Sequence, residues 1–156
     1  MTTQAKSTVY GSPVRFDENR IGAAAVYCCD GRFGEHFDDF LHNALRLPRY
    51  DRLALPGGAA CLAGHFLAFK DEEALLDQLR FLIKVHGIER VVLVAHQDCA
   101  FYTQRLHVPA AQVEAKQRED MEAAVRRVQS FAQGLTVDTF FARKHPDGTI
   151  QFESMG

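Results

Sequence analysis

Val91-Val92-Leu93-Val94-Ala95-His96-Gln97-Asp98-Cys99 is an apolar run that ends in a histidine and, after a gap of two, a cysteine. An earlier stretch has the same form: Ala23-Ala24-Ala25-Val26-Tyr27 runs straight into Cys28-Cys29-Asp30-Gly31-Arg32. Runs of Val, Leu and Ala bounded by polar residues read as strands buried on both faces of a parallel sheet. Thiol and imidazole groups therefore emerge twice at the carboxyl end of a strand. Open α/β sheets place their ligand sites there.

The remaining elements follow outward from these two strands. The first strand is expected over 22–28. A short helix is expected over 38–45, ended by Pro48, and a second buried strand over 50–55, closed by Pro56-Gly57-Gly58. Asp71 reads as an N-cap, with Glu72 and Glu73 near the positive end of the helix dipole. Leu75, Leu79, Leu82, Ile83 and His86 recur at helical spacing, and Gly87 is a C-terminal stop. Strand, helix and strand in that order imply a parallel pair with a right-handed crossover. A second helix covers 110–133, with Met121, Val125, Val128 and Ala132 as its apolar stripe. A strand at 136–142 follows. Pro146-Asp147-Gly148 then turns the chain so that 149–152 pairs back as a hairpin. The expected fold is α/β: a mostly parallel central sheet flanked by helices, with a C-terminal hairpin. Residues 1–20 read as an N-terminal arm and 21–156 as a single α/β domain that carries both motifs.

Composition narrows the function classes. The 156 residues are enough to bury a real core, and 47% hydrophobic with 24% charged is ordinary for a soluble domain. A net charge of -2 offers no nucleic-acid surface and no polybasic membrane anchor. No apolar run reaches the length of a membrane span, and Met1-Thr2-Thr3-Gln4-Ala5-Lys6 is no signal peptide. The expectation is a cytoplasmic protein. Its four cysteines are then thiols or ligands, not disulfides.

Side chains of an extended segment alternate sides, so Cys28, Asp30 and Arg32 share one side and Cys29 faces the other. The His96-x-x-Cys99 gap lets a turn bring both side chains onto one ion. Cys28, His96 and Cys99 together are three soft or borderline ligands, the preference of Zn2+. Three protein ligands leave a fourth position, as in a catalytic zinc site. Water, substrate or Asp30 are the alternatives for it.

At these residues the chain resembles the β-class carbonic anhydrases, whose hallmark is Cys-x-Asp-x-Arg followed later by His-x-x-Cys. The Leu53–Gly58 strand and turn, the helix leading into Val91, and the closing segment 140–152 resemble that family as well. The resemblance implies reversible hydration of carbon dioxide to bicarbonate by a zinc-bound hydroxide. Cys28, His96 and Cys99 would be the metal ligands, and Asp30, held by Arg32, would orient the nucleophile. It also implies a homodimer or a multiple of it. The sequence departs from the family pattern at Ala100, at Pro56-Gly57-Gly58-Ala59 and in its short segment before Cys28. Two alternatives share the same ligands. One is a hydrolase of carbon disulfide or carbonyl sulfide; the other is a non-catalytic zinc-binding relative.

Hydration releases a proton, and His36, His42, His65 and His107 are shuttle candidates by residue type alone. Gly57-Gly58 matches no phosphate-loop spacing and reads as a tight turn. Cys61 reads as a packed small residue in the following loop.

Overall fold

Alternation within the apolar runs sends side chains to both faces of a sheet. The computed structural model describes residues 6–156. In it β1 (Ala23–Cys28) directs Ala24 and Val26 to one face and Ala23, Ala25 and Tyr27 to the other. All five are buried. In β3 (Arg90–His96), Val91 and Leu93 are split from Val92 and Val94 in the same way.

Five strands make one sheet, in the order β2-β1-β3-β4-β5. Here β2 is Asp51–Leu55, β4 is Thr136–Lys144 and β5 is Ile150–Ser154. The first four strands are parallel, and β5 pairs antiparallel with β4 as the expected hairpin. Between them lie α1 (Gly34–Asp39), α2 (Phe69–Val85) and α3 (Val113–Phe131).

Chain direction decides which face each helix covers. From β1 the chain moves to the edge at β2, then crosses back over β1 to β3 and on to β4. Right-handed crossovers running in opposite directions place their helices on opposite faces. Accordingly Phe33, Phe37 and Leu41 around α1 pack on one face. Leu75 and Leu79 of α2 and Val128 of α3 pack on the other. Each such buried side chain contributes about 1.5–3 kcal/mol. The order reverses between β1 and β3, so their carboxyl ends flank the switch point of the sheet.

Several local expectations are corrected. The helix expected at 38–45 starts at Gly34, because Phe33, Phe37 and Leu41 form the stripe that anchors it. It runs on to Ala44 as a wider turn, closed by the Leu45 N–H on the Phe40 carbonyl. Asp71 caps nothing. A tight turn at Phe66–Ala68 already leads into α2, and Asp71 sits in the first helical turn, paired with Arg105 at 3.1 Å. The second strand is an edge strand with Arg52 and Ala54 exposed, not one buried on both faces. Helix α3 starts at Val113 after a turn at Ala110–Gln112, and β4 extends to Lys144. Residues 6–20 are exposed and form no helix or strand; residues 1–5 of the expected arm lie outside the described residues. Among the described residues no helix is long and apolar enough to cross a membrane.

Candidate metal centre

Cys28 is the last residue of β1 and His96 the last of β3, so strand pairing brings them side by side at the switch point. Beyond His96 the Gln97 N–H bonds the Ala142 carbonyl, which holds the chain to β4 for one residue more. Asp98 then takes a left-handed backbone, φ 56°, and turns the chain back, with its carboxylate on Lys144 at 2.5 Å. Cys99 returns to the sheet end as a result. Its sulfur lies 4.0 Å from that of Cys28. The ligand atoms of Cys28, His96 and Cys99 all lie within 4.8 Å of one another. Cys29, one residue past the end of β1, is exposed and is not part of this cluster.

Gly58 makes this approach feasible. Its backbone is left-handed, φ 51°, and a Cβ there would sit 2.5 Å from the Tyr27 carbonyl carbon. The turn after β2 therefore rests directly on the end of β1.

Protonation is uneven across the pair of sulfurs. The Cys99 thiol donates to the Cys28 sulfur, which pulls the Cys28 pKa down. The same bond, together with burial, pushes Cys99 up. His96 is fully buried, with its ring 4.3 Å from that of Phe33. Its Nδ1 lies 2.8 Å from the Gln97 carbonyl, a partner that can only accept, so Nδ1 carries the proton. That leaves Nε2 as a lone pair with no partner in the buried interior. An unpartnered buried polar atom is uncommon and calls for a ligand.

A zinc ion fits this donor set. Two sulfurs on one tetrahedral zinc at about 2.3 Å stand about 3.8 Å apart, close to the 4.0 Å seen here. Two thiolates and an imidazole are also its preferred chemistry, so binding would release the proton that Cys99 shares with Cys28.

Asp30 and Arg32 follow Cys28 in the loop. Arg32 Nη2 reaches Asp30 Oδ2 at 2.6 Å, and its Nε reaches Oδ1 at 3.0 Å and Oδ2 at 3.2 Å. The Arg32 N–H adds a third donor at 3.0 Å. The Arg32 guanidinium holds the Asp30 pKa down at about 2, despite the desolvation that opposes it. Asp30 is thus a fixed, ionised acceptor.

Gln117 and Asp120 of α3 form a second wall that was not read from the sequence. Cys28, His96 and Cys99 share a cavity of about 10 Å³ with Tyr102, Gln117 and Asp120. That is room for one water. Gln117 Nε2 donates to the His96 carbonyl at 2.9 Å, and its buried Oε1 has no partner. Asp120 Oδ2 accepts from the Tyr102 hydroxyl at 2.8 Å and lies 2.6 Å from His65 Nε2. The signal for this wall was in the sequence. Gln117 and Asp120 fall in phase with Val113, Met121, Ala124 and Val128, so two polar residues sit on the buried stripe of α3. Of the four shuttle histidines, His65 alone is hydrogen-bonded to a cavity-lining residue among the described residues. His36 and His107 are exposed, and His42 lies beside Tyr50. Cys61 is packed, its thiol donating to the Pro56 carbonyl, and burial pushes it up to about 12.

Fold and site together define an α/β protein with a thiol–imidazole cluster, able to hold a metal ion, at the switch point of its sheet. A family model described as "Putative carbonic anhydrase" matches residues 18–152, and the chain belongs to that family. The resemblance read from Cys28-x-Asp30-x-Arg32 and His96-x-x-Cys99 is borne out in this. The fold is shared with the β-carbonic anhydrase isoform I of the protozoan Trichomonas vaginalis. That match has a TM-score of 0.56 and 13% identity, covering 90% of this chain and 87% of the other. The β-carbonic anhydrase CafA of the fungal pathogen Aspergillus fumigatus matches at a TM-score of 0.45 and 14% identity, over 88% of this chain and 77% of that one. No curated protein matches the sequence.

Proposed function

We propose that this chain hydrates carbon dioxide to bicarbonate, with a zinc ion held by Cys28, His96 and Cys99. The observation that carries the reading is the buried, unpartnered Nε2 of His96 facing two sulfurs 4.0 Å apart. A zinc ion held there supplies the Lewis acidity that makes water a nucleophile near neutral pH. The rest falls to the chain's own groups. Ionised Asp30 accepts a hydrogen bond from the attacking water and aims its lone pair at the carbon. Arg32 fixes that carboxylate through both of its oxygens. In this reading Asp30 is an orienting acceptor, and the fourth position on the metal is left to water. Cys99 and Gln117 border both the inner cavity and an outer groove of about 360 Å³, the side from which substrate would enter in this reading.

Association into a homodimer, or a multiple of it, belongs to this reading. Phe66, Leu67 and Phe69 lie together in sequence with exposures of 87%, 52% and 51%, an apolar stretch suited to a second copy. A cytoplasmic location accords with the free thiols.

Metal analysis with stopped-flow hydration tests the reading. One zinc per chain is expected, with carbon dioxide turnover lost on chelation and regained with zinc. Zinc-loaded protein that turns over only carbonyl sulfide or carbon disulfide would move it to the hydrolase alternative. Zinc-loaded protein with no turnover of any of the three would leave a binding protein.

A further inference from the structure

Hydration of carbon dioxide leaves a proton in a cavity with room for about one water, and that proton has to reach solvent. We propose that Asp120 and His65 carry it out. This rests on the carbon dioxide reading above.

Asp120 lines the same cavity as Cys28, His96 and Cys99. Its side chain is only 5% exposed, yet it accepts from Tyr102 and lies 2.6 Å from Nε2 of His65. The His65 side chain is 19% exposed, so the pair runs from the cavity wall to the surface. On its own helix Asp120 Oδ1 faces Lys116 at 3.4 Å, and Lys116 is shared with Glu119 at 3.1 Å. These neighbours compensate the charge of the buried carboxylate, which lines the cavity. A tie between the 58–65 loop and α3 would not need its carboxylate on the wall of the ligand cluster.

The oxygen of the already deprotonated water forms the new C–O bond as one C=O π bond opens, which gives bicarbonate. The next water then loses a proton, its O–H bond breaking, to restore the nucleophile. The proton crosses a cavity water to Asp120 and then His65. The exposed part of the imidazole releases it to buffer, so the pair gains and loses one proton per turnover. Asp120 and His65 are relay residues, while Tyr102 holds Asp120 in place.

Stopped-flow hydration by zinc-quantified wild type and His65→Ala, in dilute non-imidazole buffer, tests the relay. The expected result is a fall in kcat of about tenfold or more, with kcat/KM within about twofold, because proton export follows the bond-forming step. Added imidazole should restore kcat, and zinc content should match wild type. Asp120→Asn should show the same split; should it fail to fold, His65→Gln decides in its place. A low-field ring N–H proton of His65 should appear in the proton NMR spectrum of wild type, with or without zinc.

Unchanged kcat in His65→Ala would overturn the relay while leaving the carbonic anhydrase reading intact. So would equal loss of kcat and kcat/KM without imidazole rescue, the mark of a structural role. Absence of the low-field proton would overturn the pairing. A zinc-loaded wild type that hydrates no carbon dioxide would remove the underlying reading, and the relay with it.

Discussion

Substituting Gly58 by alanine strikes the point where the fold supports its site. The glycine has φ 51°, and the added Cβ would lie 2.5 Å from the Tyr27 carbonyl carbon and 2.6 Å from the Cys28 nitrogen. Those are backbone atoms of β1, which is paired on both sides with β2 and β3. They cannot rotate away as a flexible side chain would, so the strand end itself has to shift. A left-handed L-residue costs about 1–2 kcal/mol, and overpacking a filled site costs about 1–3 kcal/mol more. The expected loss is therefore about 2–5 kcal/mol. Gly64 separates the two contributions. Its φ is 82°, but nothing lies within 4 Å of a Cβ there. Gly64→Ala should lose only the conformational part, about 1–2 kcal/mol. Urea unfolding of both variants, with m held in check, gives the difference. Competition against a chromophoric chelator gives zinc affinity, which should weaken in Gly58→Ala alone because the shift reaches Cys28. Equal losses in the two variants, with equal zinc affinity, would refute the claim that this turn rests on the end of β1.

Cys28→Ser should lose the zinc while Cys29→Ser keeps it, since one sulfur faces His96 and Cys99 and the other faces solvent; metal analysis of the purified variants decides, and the reverse pattern would relocate the first ligand. Asp30→Asn should retain zinc but hydrate carbon dioxide about 100-fold more slowly or worse, because an amide takes neither the Arg32 fork nor the water's hydrogen bond as a carboxylate does; normal stopped-flow turnover would remove Asp30 from the mechanism. Arg143 holds Glu114 at 2.6 Å and Glu153 at 2.7 Å and lowers the pKa of both. Carboxylates depressed in the folded state lend stability above their unfolded pKa of about 4.3 and lose it as pH falls through the folded values. Arg143→Ala should thus be less stable at neutral pH by up to about 1 kcal/mol, since these exposed groups are screened, and thermal melts should show the gap closing in acid; a gap that widens below pH 4 would contradict the pairing.

The sequence by itself determined the parts that depend on neighbours along the chain. The buried strands at 23–28 and 90–96 were legible because continuous apolar runs admit little else between polar bounds. The hairpin was legible in its Pro-Asp-Gly turn, and the separation of Cys28 from Cys29 in the period of a strand. The α1 boundary was missed because Phe33, Phe37 and Leu41 become a stripe only when a sheet face receives them. Asp71 was misread because capping depends on whether the preceding turn already satisfies the backbone. Only the tertiary structure decided that β2 lies at an edge, that β1 and β3 flank the switch point, and that α3 folds Gln117 and Asp120 onto the cavity. Strand order and helix face are set by which apolar surfaces bury together across long separations, and no local pattern encodes that pairing. Cys28, His96 and Cys99 were visible as candidate ligands by residue type, while the cavity they share with Asp120 and Tyr102 exists only once the sheet has closed beneath α3.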